Sequence, residues 1–238
     1  MTVILLVRHG QARFGTSNYD RLSDLGERQA RVTGEHLARE GRSLAAAISG
    51  ALVRQADTAR HALSGWDPEL TAGRDPRFDE YPADDLFEAY LPLAVTRNPD
   101  LDRPMAELQA DPRLFHAALS AVTGLWAEGA QPAVRQGRAS AVESWQSFRA
   151  RVTEGLRALM AASAPSDTVA IFTSGGVVGT ATAHALGLDG QAAMALGHRT
   201  LNAGITELRY GRSGFVLVSF NGVAHLRLAG GETLVTYR

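Results

Sequence analysis

The sequence has no cysteine among its 238 residues. That absence excludes disulfides, thiolate metal sites and cysteine nucleophiles, and it fits a reducing compartment. An excess of charge is missing as well: Lys and Arg total 24 against 25 Asp and Glu, a net charge of −1. With neither a basic bias nor an acidic tail, nucleic acid is not expected as a partner, and any anion site must come from local clustering. No window approaches 18 uninterrupted apolar residues, and the amino terminus turns polar by Arg8 without a basic lead. Neither a membrane span nor a signal peptide is expected, so the chain reads as soluble and cytoplasmic. Internal repeats and low-complexity tracts are also lacking. Hydrophobic residues still make up 45%, enough for a substantial core. The length suits one domain over residues 1–238, with a helical insertion at about 83–139.

What the sequence does have is strands that end in polar groups. Val3 to Val7 is too short for a helix and reads as a buried strand; it stops at Arg8-His9-Gly10. A loop, Gln11 to Leu22, follows, then a helix with Ser23 as N-cap, ended by Gly41. Leu44 to Ser49 is a second strand, and Leu52 to Leu63 a helix carrying Arg54 in its first turn. Asp67-Pro68 and Gly73 to Pro76 mark loops, and Phe78 to Pro82 lies in a loop or strand end. From Ala83 to Ala139 the pattern is helical but cut by prolines, Pro92 among them, with one clear helix over Arg113 to Glu128. A further helix runs from about Ala141 to Ala162. Thr168 to Thr173 reads as a central strand ending in Ser174-Gly175-Gly176, with a helix over Val177 to Leu186. Ile205 to Tyr210 and Phe215 to Asn221 alternate as a hairpin, and Gly222 to Arg238 is expected to add one or two short strands. Strands alternating with helices predict an α/β fold. The expected architecture is a three-layer α/β/α with a mainly parallel central sheet and the insertion over the sheet's C-terminal edge.

If the three strands are neighbours, Arg8, His9, Arg54 and the Ser174-Gly175 turn converge at the edge where α/β sheets bind ligands. Two guanidinium groups and a helix N-terminus around one imidazole form an anion site. The histidine is then placed for attack on phosphorus, and Glu80 for protonating the leaving oxygen.

Leu6-Val7-Arg8-His9-Gly10-Gln11 resembles the signature of the histidine phosphatase superfamily, the phosphoglycerate-mutase-like proteins. Leu22 to Ala30, Ser49 to Ala59 with Arg54, Glu80, and Val169 to Gly176 resemble further family segments in order. The resemblance implies hydrolysis of a small phosphate monoester, without metal or cofactor, through a phosphohistidine on His9. It implies Arg8 and Arg54 as holders of the phosphate oxygens and Glu80 as the acid. Phosphate contacts are expected from Arg8, Gly10, Gln11, Arg54, Ser174 and Gly175. The partner implied is a phosphorylated small molecule or inorganic phosphate. Oligomeric state stays open, a homodimer included.

The chain departs from the family where Ser-His-Gly-Gly is replaced by Thr173-Ser174-Gly175-Gly176. Losing a preorganised donor of this kind typically costs ~2.7–4 kcal/mol, on the order of 10²–10³ in rate. A slow phosphatase and a phosphate-ligand binding protein on the same fold both follow as readings. Mutase activity is not expected, because the Tyr-Gly-x-Leu-Gln-Gly segment of the mutases is absent and Gln11 stands where they have glutamate. A serine hydrolase would need glycine at Phe172 to form its nucleophile elbow around Ser174. His36, His61, His116, His184, His198 and His225 read as structural. No pair of them has helical metal-ligand spacing, and His198 falls in a predicted loop.

Overall fold

The computed structural model describes residues 1–13, 20–132 and 142–237. In chain order the helices and strands are β1 (Thr2–Arg8), α1 (Asp24–Arg39), β2 (Ala46–Ser49), α2 (Val53–Trp66), β3 (Gly73–Arg74), α3 (Ala83–Arg97), α4 (Met105–Ala110), α5 (Pro112–Glu128) and α6 (Trp145–Ala162). They continue with β4 (Thr168–Thr173), α7 (Gly175–Leu186), α8 (Gly190–Arg199), β5 (Ile205–Gly211), β6 (Gly214–Gly222) and α9 (Ala224–Gly230). The six strands form one sheet in the order β3-β2-β4-β1-β5-β6. β3, β2, β4 and β1 are parallel, and the β5–β6 hairpin is added antiparallel to β1.

The alternation of side chains along β1 separates two cores. Leu5 and Val7 face α1 and α2, packing with Leu37, Ala59 and Leu63. Ile4 and Leu6 face the other way, into the larger core with Phe148, Leu156 and Val178 of α6 and α7. The outcome is the expected three-layer α/β/α arrangement. Register places Arg8 opposite Thr173 at the carboxyl ends of β1 and β4. The sheet therefore brings His9 and Ser174 side by side from 165 positions apart in the chain.

Helix ends follow local chemistry. The Ser23 hydroxyl accepts the Gly26 N–H at 3.1 Å, capping α1. Asp111 accepts from the N–H groups of Arg113 and Leu114, with Pro112 at the first position of α5. Gly10 and Gly26 lie backbone against backbone; a Cβ on Gly10 would come within 2.3 Å of the Gly26 oxygen. Glycine here lets α1 pack directly under the turn that follows β1.

Several expectations need correction. The segment after Gly222 forms α9 and a 3₁₀ turn, Gly231–Leu234, with no strand among its described residues. Val223, Leu226 and Leu234 close a small third core with Ala203 against Leu25 and Val32 of α1, a burial pattern suited to a helical turn. Gly73–Arg74, expected as loop, pairs with β2 as the sheet's edge. Pro92 does not interrupt α3; it lies on the exposed side, where the carbonyl that loses its N–H partner can be hydrated. α7 starts at Gly175, two residues earlier than expected, and His198 lies in α8, not in a loop. Within the loop over Gln11 to Leu22, Ala12 and Leu22 pair at its base. Gly15, Ser17 and Asn18 lie outside the described residues, as does the insertion beyond 132.

His225 of α9 is buried beside α1, with Nε2 at 3.0 Å from the Thr33 hydroxyl, and stacks on His36 at 5.0 Å. Burial first, then the neighbouring His36, lowers its pKa to about 4. A histidine depressed in the folded state binds protons more readily when unfolded, so it removes stability as pH falls from 6.5 toward 4. The expected loss between pH 7 and 5 is about 2 kcal/mol. His225→Gln should flatten that part of the profile, read as a smaller melting-temperature difference between the two pH values. An unchanged difference would show that His225 is not the group responsible.

Candidate active site

His9 follows the last residue of β1 and is 5% exposed. Its Nδ1 is 2.8 Å from the Gly10 carbonyl oxygen. A carbonyl can only accept, so Nδ1 carries the proton. Nε2 is then the lone-pair nitrogen, and it accepts a hydrogen bond from Arg54 Nε at 3.3 Å. Burial, then the charges of Arg54 and Arg8, holds the imidazole pKa well below its ordinary value. His9 is thus neutral at physiological pH, with its free nitrogen beside a guanidinium.

Arg54 sits in the first turn of α2 and is 8% exposed. Its Nη1 donates to Asp20 Oδ1 at 2.7 Å. Asp20 also accepts the Val53 N–H at 2.9 Å through Oδ2, so one carboxylate caps α2 and holds Arg54. Thr58, one turn further along α2, accepts the Gly10 N–H at 3.0 Å, tying the turn after β1 to the same helix. Arg8 Nη1 donates to the carbonyl oxygens of Thr200 and Tyr237.

Glu80 approaches from the segment between β3 and α3. Its Oε2 accepts the Gly176 N–H at 3.1 Å and its Oε1 the Tyr81 N–H at 3.2 Å. A Cβ on Gly176 would come within 2.3 Å of Oε1, so the carboxylate docks there only because α7 opens with glycine. Burial pushes the Glu80 pKa up, against the opposing pull of the Gly176 N–H and the Arg54 charge. The segment carrying Glu80 is held from outside: Arg151 of α6 donates to the Arg77 and Asp79 carbonyls at 2.9 and 2.8 Å while paired with both Glu143 oxygens.

A cavity of about 1430 Å³ opens at this edge of the sheet, beneath α3 and α5. Arg8, His9, Arg54, Glu80 and Gly175 all line it. Gly10, Gln11 and Ser174 are not among its lining residues. The Gln11 side chain accepts from the Ser23 hydroxyl at 2.8 Å, and its backbone N–H donates to Gln29. Ser174 is fully buried, and its hydroxyl accepts from Gln55 Nε2 at 2.8 Å. The Gln55 amide also donates to the Phe78 carbonyl at 3.2 Å, so a histidine at position 174 would have to displace it. His198 stands on the cavity wall, 5.8 Å from His116 between ring centroids, and burial lowers its pKa to about 4. No group of three or more His, Asp or Glu suited to a metal ion occurs among the described residues.

Nothing in the sequence points to Asp20, Gln55 or Arg151 as site residues, and Thr58 is marked only as part of the family-like segment around Arg54. Asp20 and Thr58 lie in segments that the sequence did mark, but nothing in spacing pairs Asp20 with Arg54. Arg151 falls on the wet side of an ordinary amphipathic stripe.

An anion entering beside His9 competes with Asp20 for Arg54. Asp20→Asn keeps an oxygen to cap α2 but removes the competing charge. Phosphate affinity is expected to rise by up to about 5-fold, the ratio equivalent to ~1 kcal/mol for a part-exposed pair. Calorimetric titration with inorganic phosphate checks this; weaker binding in the variant would mean that Asp20 orients Arg54 for the anion.

A family model described as "Histidine phosphatase superfamily (branch 1)" matches residues 4–90 and 105–222. No curated protein sequence matches the chain. Among solved structures, similarity extends to a phosphoserine phosphatase from Entamoeba histolytica, captured as a mutant with phosphoserine. It is 18% identical over 95% of this chain and 100% of its own, with a TM-score of 0.63. A mycobacterial glucosyl-3-phosphoglycerate phosphatase with bound VO3 is 22% identical over 93% and 99%, TM-score 0.62. A phosphoglycerate mutase from Bacillus anthracis is 17% identical over 97% and 96%, TM-score 0.63. At these identities the structural likeness establishes a shared fold.

Proposed function

Because the chain belongs to the histidine phosphatase superfamily (branch 1), we propose that it hydrolyses phosphate monoesters through a phosphohistidine on His9. The observation that carries the reading is the Gly10 carbonyl oxygen 2.8 Å from His9 Nδ1: Nδ1–H donates to it, which leaves Nε2 with its lone pair beside Arg54. Nε2 attacks phosphorus, the phosphorus–oxygen ester bond breaks, and the leaving oxygen takes the proton of the Glu80 carboxyl. The raised pKa of Glu80 keeps that proton available closer to neutrality. In the second step the Glu80 carboxylate accepts a proton from water, the water oxygen bonds to phosphorus, and the bond to Nε2 breaks. Phosphate leaves and Glu80 is again protonated. Arg8 and Arg54 hold the equatorial oxygens, where charge persists throughout.

Ser174 favours a second reading, a phosphate-ligand binding protein, because its hydroxyl is buried and engaged by Gln55 instead of lining the cavity. Rapid acid-free quenching of the wild-type protein with a panel of phosphate esters separates the two. The phosphatase reading expects turnover and a phosphohistidine mapped to His9. Saturable binding of the esters with neither turnover nor label supports the binding protein.

A further inference from the structure

Resting on the phosphatase reading, we infer that the alcohol part of the substrate is apolar: the site takes alkyl or aryl phosphomonoesters with a sizeable hydrocarbon body. The cavity exceeds what a phosphate needs, and at about 1430 Å³ it is larger than most small-molecule pockets, which run ~300–1,000 Å³. Its chemistry is divided. The polar groups that grip an anion cluster at the sheet edge around His9. The wall opposite carries Phe87, Leu91, Val95, Met105, Phe115 and Leu119 of α3, α4 and α5, with Glu88 and Gln109 as polar residues of α3 and α4 among them. None of the six apolar side chains offers a strong hydrogen bond, so a sugar or amino-acid body lying against them would leave the polar groups on that side unpaired. The stripe recurs at Phe87, Leu91 and Val95 because a four-residue step keeps one face of α3 turned to the cavity.

Charge on the same wall disfavours a second anion on the substrate. Asp84 and Asp102 line the cavity and are exposed. The cation contributed by α3, α4 and their connection is Arg103, which donates to the Asp100 carbonyl at 3.2 Å and lies 3.7 Å from Glu107. His198, on the far side, is held neutral by burial; His116 stands exposed beside it. A second anion carried toward this wall would meet Asp84 and Asp102, with Arg103 already beside Glu107.

The wild-type protein tests this with a homologous series. The specificity constant kcat/KM for n-alkyl phosphates from ethyl to hexyl is expected to rise by up to about 4-fold per methylene, the ratio equivalent to ~0.8 kcal/mol per buried CH₂. Phosphoserine and 3-phosphoglycerate should fall below hexyl phosphate. Leu91→Asn and Val95→Asn, checked for cooperative melting, should each flatten the series. Calorimetry with the matching alkylphosphonates, which have no ester bond to cleave, should show the same rise in affinity. A flat or falling series, or preference for the two carboxylated esters, overturns the inference and leaves the phosphatase reading standing. Phosphonate affinity that rises with chain length while no ester is hydrolysed upholds the apolar site and removes the phosphatase reading.

Discussion

His9→Ala is expected to reduce ester hydrolysis by on the order of 10⁴-fold or more, with no phosphoenzyme formed. The size follows from the proposed chemistry, in which the substitution removes the atom that bonds to phosphorus. Water entering the vacated space would have to attack unaided, with only the guanidinium grip left to stabilise the charge. Folding should survive, because His9 is buried, neutral and tied mainly to its neighbour's carbonyl. Its depressed pKa means that the wild-type side chain removes stability as pH falls below 6.5 toward its folded pKa. The variant should therefore melt with a weaker dependence on acid. Burst kinetics and a pH series of melts check both arms. Residual activity within about 10-fold of wild type, a ratio far too small for loss of a covalent nucleophile, would assign the nucleophile elsewhere.

Glu80→Gln is expected to slow hydrolysis of alkyl phosphates by ~10²–10⁴-fold, the range for loss of a positioned general acid. The loss should shrink sharply for nitrophenyl phosphate, whose leaving oxygen departs without a proton. That contrast separates an acid from a residue that merely holds the loop. Glutamine has one carbonyl oxygen where the carboxylate uses two, so it keeps either the Gly176 or the Tyr81 N–H bond and turns its NH₂ toward the other; a melt of the variant checks that the segment stays folded. The wild-type rate for alkyl esters should fall as pH rises through the raised Glu80 pKa, and the variant should lose this limb. Equal slowing of both ester classes would make Glu80 a positioning residue.

The polar strand ends were legible because a short aliphatic run that halts at Arg-His-Gly has few other meanings in an α/β chain. Parallel pairing of β1 and β4 then did what sequence spacing alone could not, setting Arg8 opposite Thr173. Legibility failed where tertiary contacts decide. α9 and the 3₁₀ turn after it form because Leu226 and Leu234 have a core to enter beside α1, and Pro92 is tolerated because its side of α3 is wet. The partners of the site were hidden for the same reason. Asp20 meets Arg54 across 34 positions, and Gln55 meets Ser174 across 119. Neither pairing has a periodicity to betray it. The Gln55–Ser174 contact also changes the meaning of the missing histidine: position 174 has become part of the packing behind the cavity, so restoring a histidine there requires room at position 55.

If His9 is the nucleophile, Arg8, Arg54 and Glu80 surround one tetrahedral oxyanion whose central atom lies against His9 Nε2. A crystal structure with vanadate measures this directly. Vanadium is expected bonded to His9 Nε2, with oxygens held by both arginines, Arg54 drawn away from Asp20, and the Glu80 carboxyl against the apical oxygen. Vanadate bound away from residue 9, or bound to the imidazole with the Arg54 guanidinium still turned to Asp20, would contradict it.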